Sequence, residues 1–212
     1  MCAVNRGVLG SQTGSMGGIT ASNWKGRNVY KQKVPSTNTS NSAAQAAQRR
    51  KFAALAKLAG LLGPAIRIGF NSSATKITEQ NAFVKANFPA VTDNGTIATI
   101  DPTKLIFGQG IVGSAPITAL VLSASQGNVE FTWPDNSNGT DSLPTDKAYL
   151  IVYDKLRGKA YVNGTDFTRS TAGGILDDPT LTGAQAANIE GYLFFKRATN
   201  TSTSPSTYRQ AV

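Results

Sequence analysis

The sequence has 212 residues, of which 40% are hydrophobic, enough for one sizeable packed domain or two small ones. It contains no histidine and one cysteine, Cys2, which excludes a disulfide framework, cysteine-based metal sites and nucleophilic catalysis with a histidine base. No catalytic motif is evident. We therefore predict that the protein is not an enzyme and that it binds no cofactor and no metal.

The positive charge is concentrated near the N-terminus. The first 78 residues hold eleven Lys/Arg and no acid, a net charge of +11, whereas the remaining 134 hold ten Lys/Arg and all twelve acids, a net charge of −2. Such segregation indicates an acidic partner for the N-terminal part. The candidates are nucleic acid, an anionic surface and an acidic face of a neighbouring subunit.

Residues 1–42 are predicted to form an extended, glycine-rich basic arm and a linker, because a glycine-rich opening disfavours a helix. The run from Trp24 to Pro35 alternates in the manner of a strand. One face would carry the aromatic side chains of Trp24 and Tyr30, and the other face the cations Lys25, Arg27, Lys31 and Lys33. A basic face suits an added strand beside an anion, and interleaved aromatic residues also occur where bases of single-stranded nucleic acid stack.

Residues 43–113 are predicted to be helical and connecting. The alanine-rich run 43–62 has apolar residues at spacings of three and four, which predicts a helix that ends at Gly63-Pro64. The apolar stripe consists of Phe52, Leu55, Ala59 and Leu62. A second apolar phrase, 65–70, is expected to pack back on this helix, and a shorter helix is predicted between Thr78 and Pro89.

The basic run of the first helix completes the set of candidate contact residues. These residues are basic or aromatic, and we predict that they mediate assembly or contact an anion. They are Trp24, Lys25, Arg27, Tyr30, Lys31, Lys33, Arg49, Arg50 and Lys51.

From residue 97 onward the hydrophobic period changes to two, which indicates strands. The predicted strands are 97–100, 104–107, 119–123, 128–133, 147–153, 159–162, 189–196 and 206–212. Turn phrases such as Asn138-Gly139 and Gly173-Gly174 separate them. Residues 114–212 are predicted to form an antiparallel immunoglobulin-like or fibronectin type III-like β-sandwich with Trp133 in its core. The fold class is thus mainly β with a helical N-terminal part.

Several motifs resemble those of a family of uncharacterised proteins from Bacteroidota and their phages. They are Gly7-Val8-Leu9-Gly10, Gly14-Ser15-Met16-Gly17, Ser22-Asn23-Trp24-Lys25-Gly26, Gln45-x-x-Gln48-Arg49-x-Lys51-Phe52, Ile66-Arg67-Ile68-Gly69-Phe70, Thr132-Trp133-x-Asp135-Asn136 and Asp146-Lys147-Ala148. The resemblance implies an N-terminal arm and a helix joined to an immunoglobulin-like or fibronectin type III-like domain, a design that many phage structural proteins share. The linker at residues 35–42 departs from the family pattern because its Ser, Thr and Asn residues are neutral, which argues against tight nucleic-acid binding by the linker.

The leading functional hypothesis is a structural protein of a bacteriophage virion: a capsid, head-completion or tail-associated component. It would be made in the bacterial host cytoplasm and would assemble through its N-terminal arm with itself and with other virion proteins. Packaged DNA is a further candidate partner of the arm, and no membrane partner is expected. Two alternatives are a bacterial interaction module that binds a protein or a glycan, and a nucleic-acid-binding protein.

Overall fold

The computed structural model of the chain describes residues 13–25, 27–33, 42–72, 74, 76–164 and 166–212. The described residues contain twelve strands in four antiparallel sheets and three α-helices, so the protein is mainly β, as predicted. The chain divides into two compact units, residues 1–42 and 43–212. The motif at Gly7 to Gly10 and the residues 34–41 of the predicted linker lie outside the described residues.

The described part of the first unit is a small antiparallel sheet. Its strands β1 (Gly14–Met16), β2 (Ile19–Trp24) and β3 (Arg27–Gln32) pair in the order β1-β2-β3. The prediction of one strand from Trp24 to Pro35 is therefore wrong, because the chain reverses directly after Trp24. Lys25 has a φ of +50°, the left-handed conformation that a two-residue hairpin loop requires. The alternating pattern continues through this loop and so concealed the reversal.

Three helices open the second unit: α1 (Ala43–Leu61), α2 (Gly63–Gly69) and α3 (Glu79–Asn87). The predicted stop of the first helix is confirmed, since Pro64 lies in the first turn of α2, where its missing N–H costs nothing. Thr78 caps α3 by accepting a hydrogen bond from the amide of Asn81 at 3.3 Å. The buried line of α1 runs through Leu55, Leu58 and Ala59, whereas Phe52, predicted to belong to it, is 52% exposed.

A hairpin follows the helices, formed by β4 (Val91–Asp93) and β5 (Ala98–Ile100). The predicted strand 104–107 is wrong. The backbone there bonds a side chain instead of a neighbouring strand: the amide of Ile106 donates to Asn87 Oδ1 at 2.7 Å, and Asn87 Nδ2 donates to the Ile106 carbonyl at 2.8 Å. The buried amide of Asn87 thereby satisfies the hydrogen bonds that strand pairing would otherwise supply.

Two further sheets complete the unit. β6 (Ala119–Ser123), β7 (Asn128–Thr132) and β10 (Gly173–Asp177) pair in the order β10-β7-β6. β8 (Lys147–Asp154), β9 (Lys159–Asn163), β11 (Ile189–Lys196) and β12 (Thr207–Gln210) pair in the order β12-β11-β8-β9. Six of the predicted strands correspond to elements of these two sheets, and β10 was missed because its two opening glycines were assigned to a turn.

The four-stranded sheet lies between two apolar clusters. Alternate residues of β8 and β11 face opposite sides, as the period of a strand requires. One set packs with the helices: Tyr149, Ile151, Tyr192 and Phe194. The other set packs with the three-stranded sheet and Trp133: Ala148, Leu150, Val152, Ile189, Leu193 and Phe195. The predicted core position of Trp133 is confirmed. The first cluster contains residues from both sides of the predicted boundary between residues 113 and 114.

Among the described residues no single helix is long and apolar enough to span a membrane. Helices α1 and α2 meet the length and composition criteria only as a pair, and the pair is bent by 95°. Leu55 and Leu58 of α1 and Ile66 of α2 are buried in the cluster that covers the four-stranded sheet.

We predict that Gly69→Ala destabilises the second unit and that Gly60→Ala does not. A Cβ on Gly69 would lie 1.9 Å from the backbone oxygen of Phe107, whereas a Cβ on Gly60 has open space around it. Overpacking of this kind costs about 1–3 kcal/mol, and alanine in place of an exposed helical glycine gains up to about 1 kcal/mol. Urea unfolding of the two variants measures both changes, and equal midpoints would contradict the prediction.

Candidate functional site

The N-terminal sheet carries six of the nine predicted contact residues. Its register pairs Trp24 with Arg27, Ser22 with Val29, and Thr20 with Lys31. Directly paired residues of an antiparallel sheet project from the same face. We call this side the cationic face, and it consists of Ser15, Thr20, Ser22, Trp24, Arg27, Val29 and Lys31. Lys33 directly follows β3, and its amide donates to the carbonyl of Gly18 at 2.7 Å.

The opposite side of this sheet carries Met16, Ile19, Ala21 and Tyr30 together with the uncharged amides of Asn23, Asn28 and Gln32. Met16 pairs with Ile19, and Ala21 pairs with Tyr30. The prediction that Trp24 and Tyr30 share a face is therefore wrong, because the reversal after Trp24 shifts the alternation by one residue. Trp24 lies with the cations, and Tyr30 lies with Met16 and Ile19 on what we call the apolar face.

None of the described residues between 13 and 33 is buried. The large apolar side chains on both faces are more than half exposed, at 72% for Met16, 51% for Ile19, 64% for Trp24 and 52% for Tyr30. A small sheet gains independent stability from an apolar face packed against another element. Burial of each such side chain against a partner would contribute about 1.5–3 kcal/mol. In the described part of the chain, both faces of this sheet therefore carry large apolar side chains that are exposed to solvent.

Lys25 lies in the hairpin loop beside the exposed indole ring of Trp24. Its Nζ is 5.1 Å from the ring centroid of Trp24, within the range of a cation–π interaction. The loop end of the sheet thus presents an aromatic ring next to two cations, Lys25 and Arg27. This is the combination that binds anionic groups or the bases of single-stranded nucleic acid.

The three predicted contact residues of α1 belong to the second unit and differ in their contacts. Arg50 forms a bidentate ion pair with Asp93 at the end of β4, with N–O distances of 2.7 and 2.8 Å. Lys51 Nζ lies 5.7 Å from the ring of Phe88, and Arg49 lies at the exposed surface. The hydrogen bond from Arg50 holds the pKa of the Asp93 carboxyl below its usual value. Arg50 therefore fastens α1 to the β4–β5 hairpin.

Sequence reasoning missed a buried cation at the end of the two larger sheets. Arg169 is fully buried and donates to Asn136 Oδ1 and to the carbonyl of Gly113, both at 2.6 Å. Its Nη2 lies 3.3 Å from Asp146 Oδ2, and its guanidinium lies 3.9 Å from the ring centroid of Phe195. Burial lowers the pKa of Arg169, and the carboxylate of Asp146 opposes this shift.

The residues around Arg169 explain two of the sequence motifs. Trp133 Nε1 donates to the carbonyl of Arg169 at 3.0 Å, and the amide of Arg169 donates to the carbonyl of Asp146 at 2.8 Å. Trp133 and Asn136 come from one motif and Asp146 from the other, so both motifs converge on one buried arginine. No local pattern marked Arg169 itself, which follows an ordinary loop sequence. These motif residues stabilise the fold.

A groove of about 440 Å³ lies on the surface of the second unit, bordered by α1, β5 and the end of β8. Its lining is mostly apolar and includes Leu58, Leu61 and Ile97, while Lys57 and Lys155 supply positive charge. The Nζ of Lys155 pairs with the buried carboxylate of Glu190 at 2.5 Å. Among the described residues, no carboxylate lines the groove itself.

The acidic residues of the described part do not gather into a metal site, since no three of them come together in a way that could hold an ion.

The molecule is a mainly β protein with a helical layer and an exposed cationic N-terminal sheet. Residues 11–209 match the model of a family of unknown function (DUF6266), and the chain belongs to this family. A comparison with curated proteins gives no significant match.

We predict that the contribution of the Arg50–Asp93 pair to stability depends on pH. Because the pKa of Asp93 is lowered in the folded protein, the pair stabilises the fold at neutral pH and loses this effect as the pH falls through the folded pKa. Asp93→Asn should lower the Tm at pH 7, and the difference from wild type should shrink below about pH 4.

The control is Glu79→Gln, which removes a half-exposed carboxylate that has no ion pair among the described residues. Thermal unfolding between pH 3 and pH 7 measures both variants. A Tm difference for Asp93→Asn that persists unchanged at pH 3 would contradict the assigned role of the pair.

We also predict that Arg169→Ala and Asp146→Ala each cost about 3–5 kcal/mol, because either change removes one member of a fully buried ion pair. After Arg169→Ala the Asp146 carboxylate keeps only its longer contact with Arg197, at 3.7 Å. The double variant Asp146→Ala/Arg169→Met should lose much less than the sum of the two single losses, since it removes both charges and refills the volume. Urea unfolding followed by circular dichroism measures the free energy of unfolding of wild type, both single variants and the double variant, which together form a double-mutant cycle. Additive losses would show that the pair is not coupled.

Proposed function

We propose that the protein is a structural component that assembles with copies of itself through its N-terminal sheet, and that the assembly is a bacteriophage virion. One observation carries the assembly step: a sheet of three strands in which no described side chain is buried, with a cationic face and an apolar face. Such a sheet forms a compact unit apart from residues 43–212, as a segment that docks on another molecule would. The sequence motifs support the virion as the setting.

We further propose that the two larger sheets are an immunoglobulin-like or fibronectin type III-like sandwich. In the seven-stranded immunoglobulin constant type, the first, second, fourth and fifth strands form one sheet and the third, sixth and seventh form the other. The orders β10-β7-β6 and β12-β11-β8-β9 agree with this grouping except that the fourth strand, β9, lies on the second sheet, and Trp133 packs in the cluster between the sheets. Domains of this class serve widely as rigid modules of repeated assemblies, which supports a structural role.

The same cationic face also favours a second candidate, a nucleic-acid-binding protein. Trp24 lies on one exposed face with Arg27 and Lys31, which combines a stacking surface with phosphate-binding cations. This candidate predicts binding that weakens steeply with salt, with a slope of about −0.9 per phosphate contacted in duplex DNA. Assembly through protein contacts does not require DNA, so the two candidates separate in one experiment.

We expect purified full-length protein to form an oligomer without DNA and the double variant Ile19→Ser/Trp24→Ser to be largely monomeric. Each face of the sheet loses one exposed apolar side chain in this variant. Loss of their burial at an interface should raise the dissociation constant at least about a hundredfold. Mass photometry over a range of protein concentrations, with and without DNA at two salt concentrations, measures the effect.

The matched control is Phe52→Ser, which removes an aromatic ring of similar exposure from the second unit. A fragment beginning at Ala43 should be monomeric for the same reason as the double variant. If the full-length protein is monomeric at every concentration and associates only on DNA in a salt-dependent manner, the assembly proposal is wrong and the nucleic-acid candidate replaces it.

A further inference from the structure

We propose that the cationic face of the N-terminal sheet docks on the outer face of the β6-β7-β10 sheet of a second copy of the chain. This inference rests on the proposed function and names the surface that receives the sheet. We call that surface the acceptor face. It consists of Ala119, Val121, Ser123, Asn128, Glu130, Thr132, Gly173, Ile175 and Asp177.

The acceptor face is defined by the register of its three strands. Val121, Glu130 and Ile175 form one row across the sheet, and Ser123, Asn128 and Asp177 form another. The alternate residues are turned inward, and Leu120, Val129, Phe131 and Leu176 are buried in the core. On the outer side Val121 is 42% exposed and Ile175 is 45% exposed, with Glu130 exposed between them. The face therefore presents a carboxylate flanked by two aliphatic side chains.

The charges of the two sheets are complementary. Strands β6, β7 and β10 contain two acids, Glu130 and Asp177, and no Lys or Arg. Strands β1, β2 and β3 contain two cations, Arg27 and Lys31, and no acid. Glu130 and Asp177 form no ion pair or hydrogen bond within the described part of the chain, so both carboxylates are available to a partner. Opposite charges at matching surfaces steer association and fix the register of docking.

The apolar residues of the two faces also correspond. On the cationic face Trp24 lies beside Arg27, and Val29 lies between Arg27 and Lys31 along β3. On the acceptor face Val121 and Ile175 flank Glu130. Face-to-face packing of two antiparallel sheets places them about 10 Å apart with interdigitated side chains. Each cation can then meet a carboxylate in a contact from which the aliphatic and aromatic neighbours exclude water.

The groove beside α1 is a poorer acceptor for the cationic face because its charged lining residues, Lys57 and Lys155, have the same sign. In this contact each copy donates its N-terminal sheet to one neighbour and receives the sheet of another. A contact of this type closes into a ring or extends as a chain.

Charge reversal tests the acceptor face in the full-length protein. A donor variant, Arg27→Glu/Lys31→Glu, and an acceptor variant, Glu130→Lys/Asp177→Lys, should each raise the dissociation constant of the oligomer at least about tenfold, because like charges then face each other. An equimolar mixture of the two variants should assemble, since the unchanged cationic sheet of one meets the unchanged acidic face of the other, and the two reversed surfaces also match.

The control for position is Glu79→Lys, which reverses a half-exposed acid in the first turn of α3 and should leave assembly unchanged, whereas the single change Glu130→Lys should weaken it. Circular dichroism confirms that each variant is folded. Mass photometry at two salt concentrations reads out assembly, and the effects of reversal should be smaller at high salt.

The possible results separate this inference from the proposed function. If Ile19→Ser/Trp24→Ser abolishes assembly but the acceptor variant assembles normally, or if Glu79→Lys has the same effect as Glu130→Lys, the acceptor face is wrong and the proposed function stands. If wild-type protein is monomeric at all concentrations, both fall. Recovery of assembly in the mixture, with neither variant assembling alone, supports the acceptor face.

Discussion

The strand pair β8–β11 is covered on both faces, and the second unit is built around it. Eight pairs of residues join the two strands, and their alternate side chains enter two separate apolar clusters. Gly191 in β11 permits close packing here, since a Cβ would lie 2.4 Å from the side chain of Leu120. The helices and the three-stranded sheet therefore both depend on one sheet. A fragment that lacked residues 43–113 would expose a row of aromatic side chains to water.

The elements that pack in the two clusters are also those that the sequence predicts best. Long apolar segments such as α1, β8 and β11 carry a strong periodic signal, and the predicted bounds of β6 and β11 agree with the structure. The misses depend on single non-local contacts. The strand β10 begins with glycines because a Cβ on Gly174 would meet the ring of Phe167 at 2.7 Å. Residues 104–107 have the composition of a strand, but Asn87 satisfies their backbone.

The candidate site was predictable in its charge and not in its geometry. The sequence shows that the N-terminal part has many cations and no acids. Which side chains share a face of the sheet, however, depends on the chain reversal after Trp24, which places Trp24 with Arg27 and not with Tyr30. The pairing of Arg50 with Asp93 joins residues 43 positions apart, and the Arg169 side chain contacts residues from four separate segments. Local patterns carry no information on contacts of this kind, because only tertiary packing brings the partners together.

The ion pairs within the second unit limit which of its carboxylates can bind the cations of the N-terminal sheet. Four carboxylates of the second unit are already engaged with cations and are largely buried: Asp93, Asp146, Asp154 and Glu190. Others fold back on their own turns, as Asp135 does with Ser137 and Asp178 with Thr180. Glu130 and Asp177 have no such partner among the described residues, and they lie on one outer sheet face. The carboxylates that remain without an internal ion pair on this face, Glu130 and Asp177, thus lie beside the exposed side chains of Val121 and Ile175.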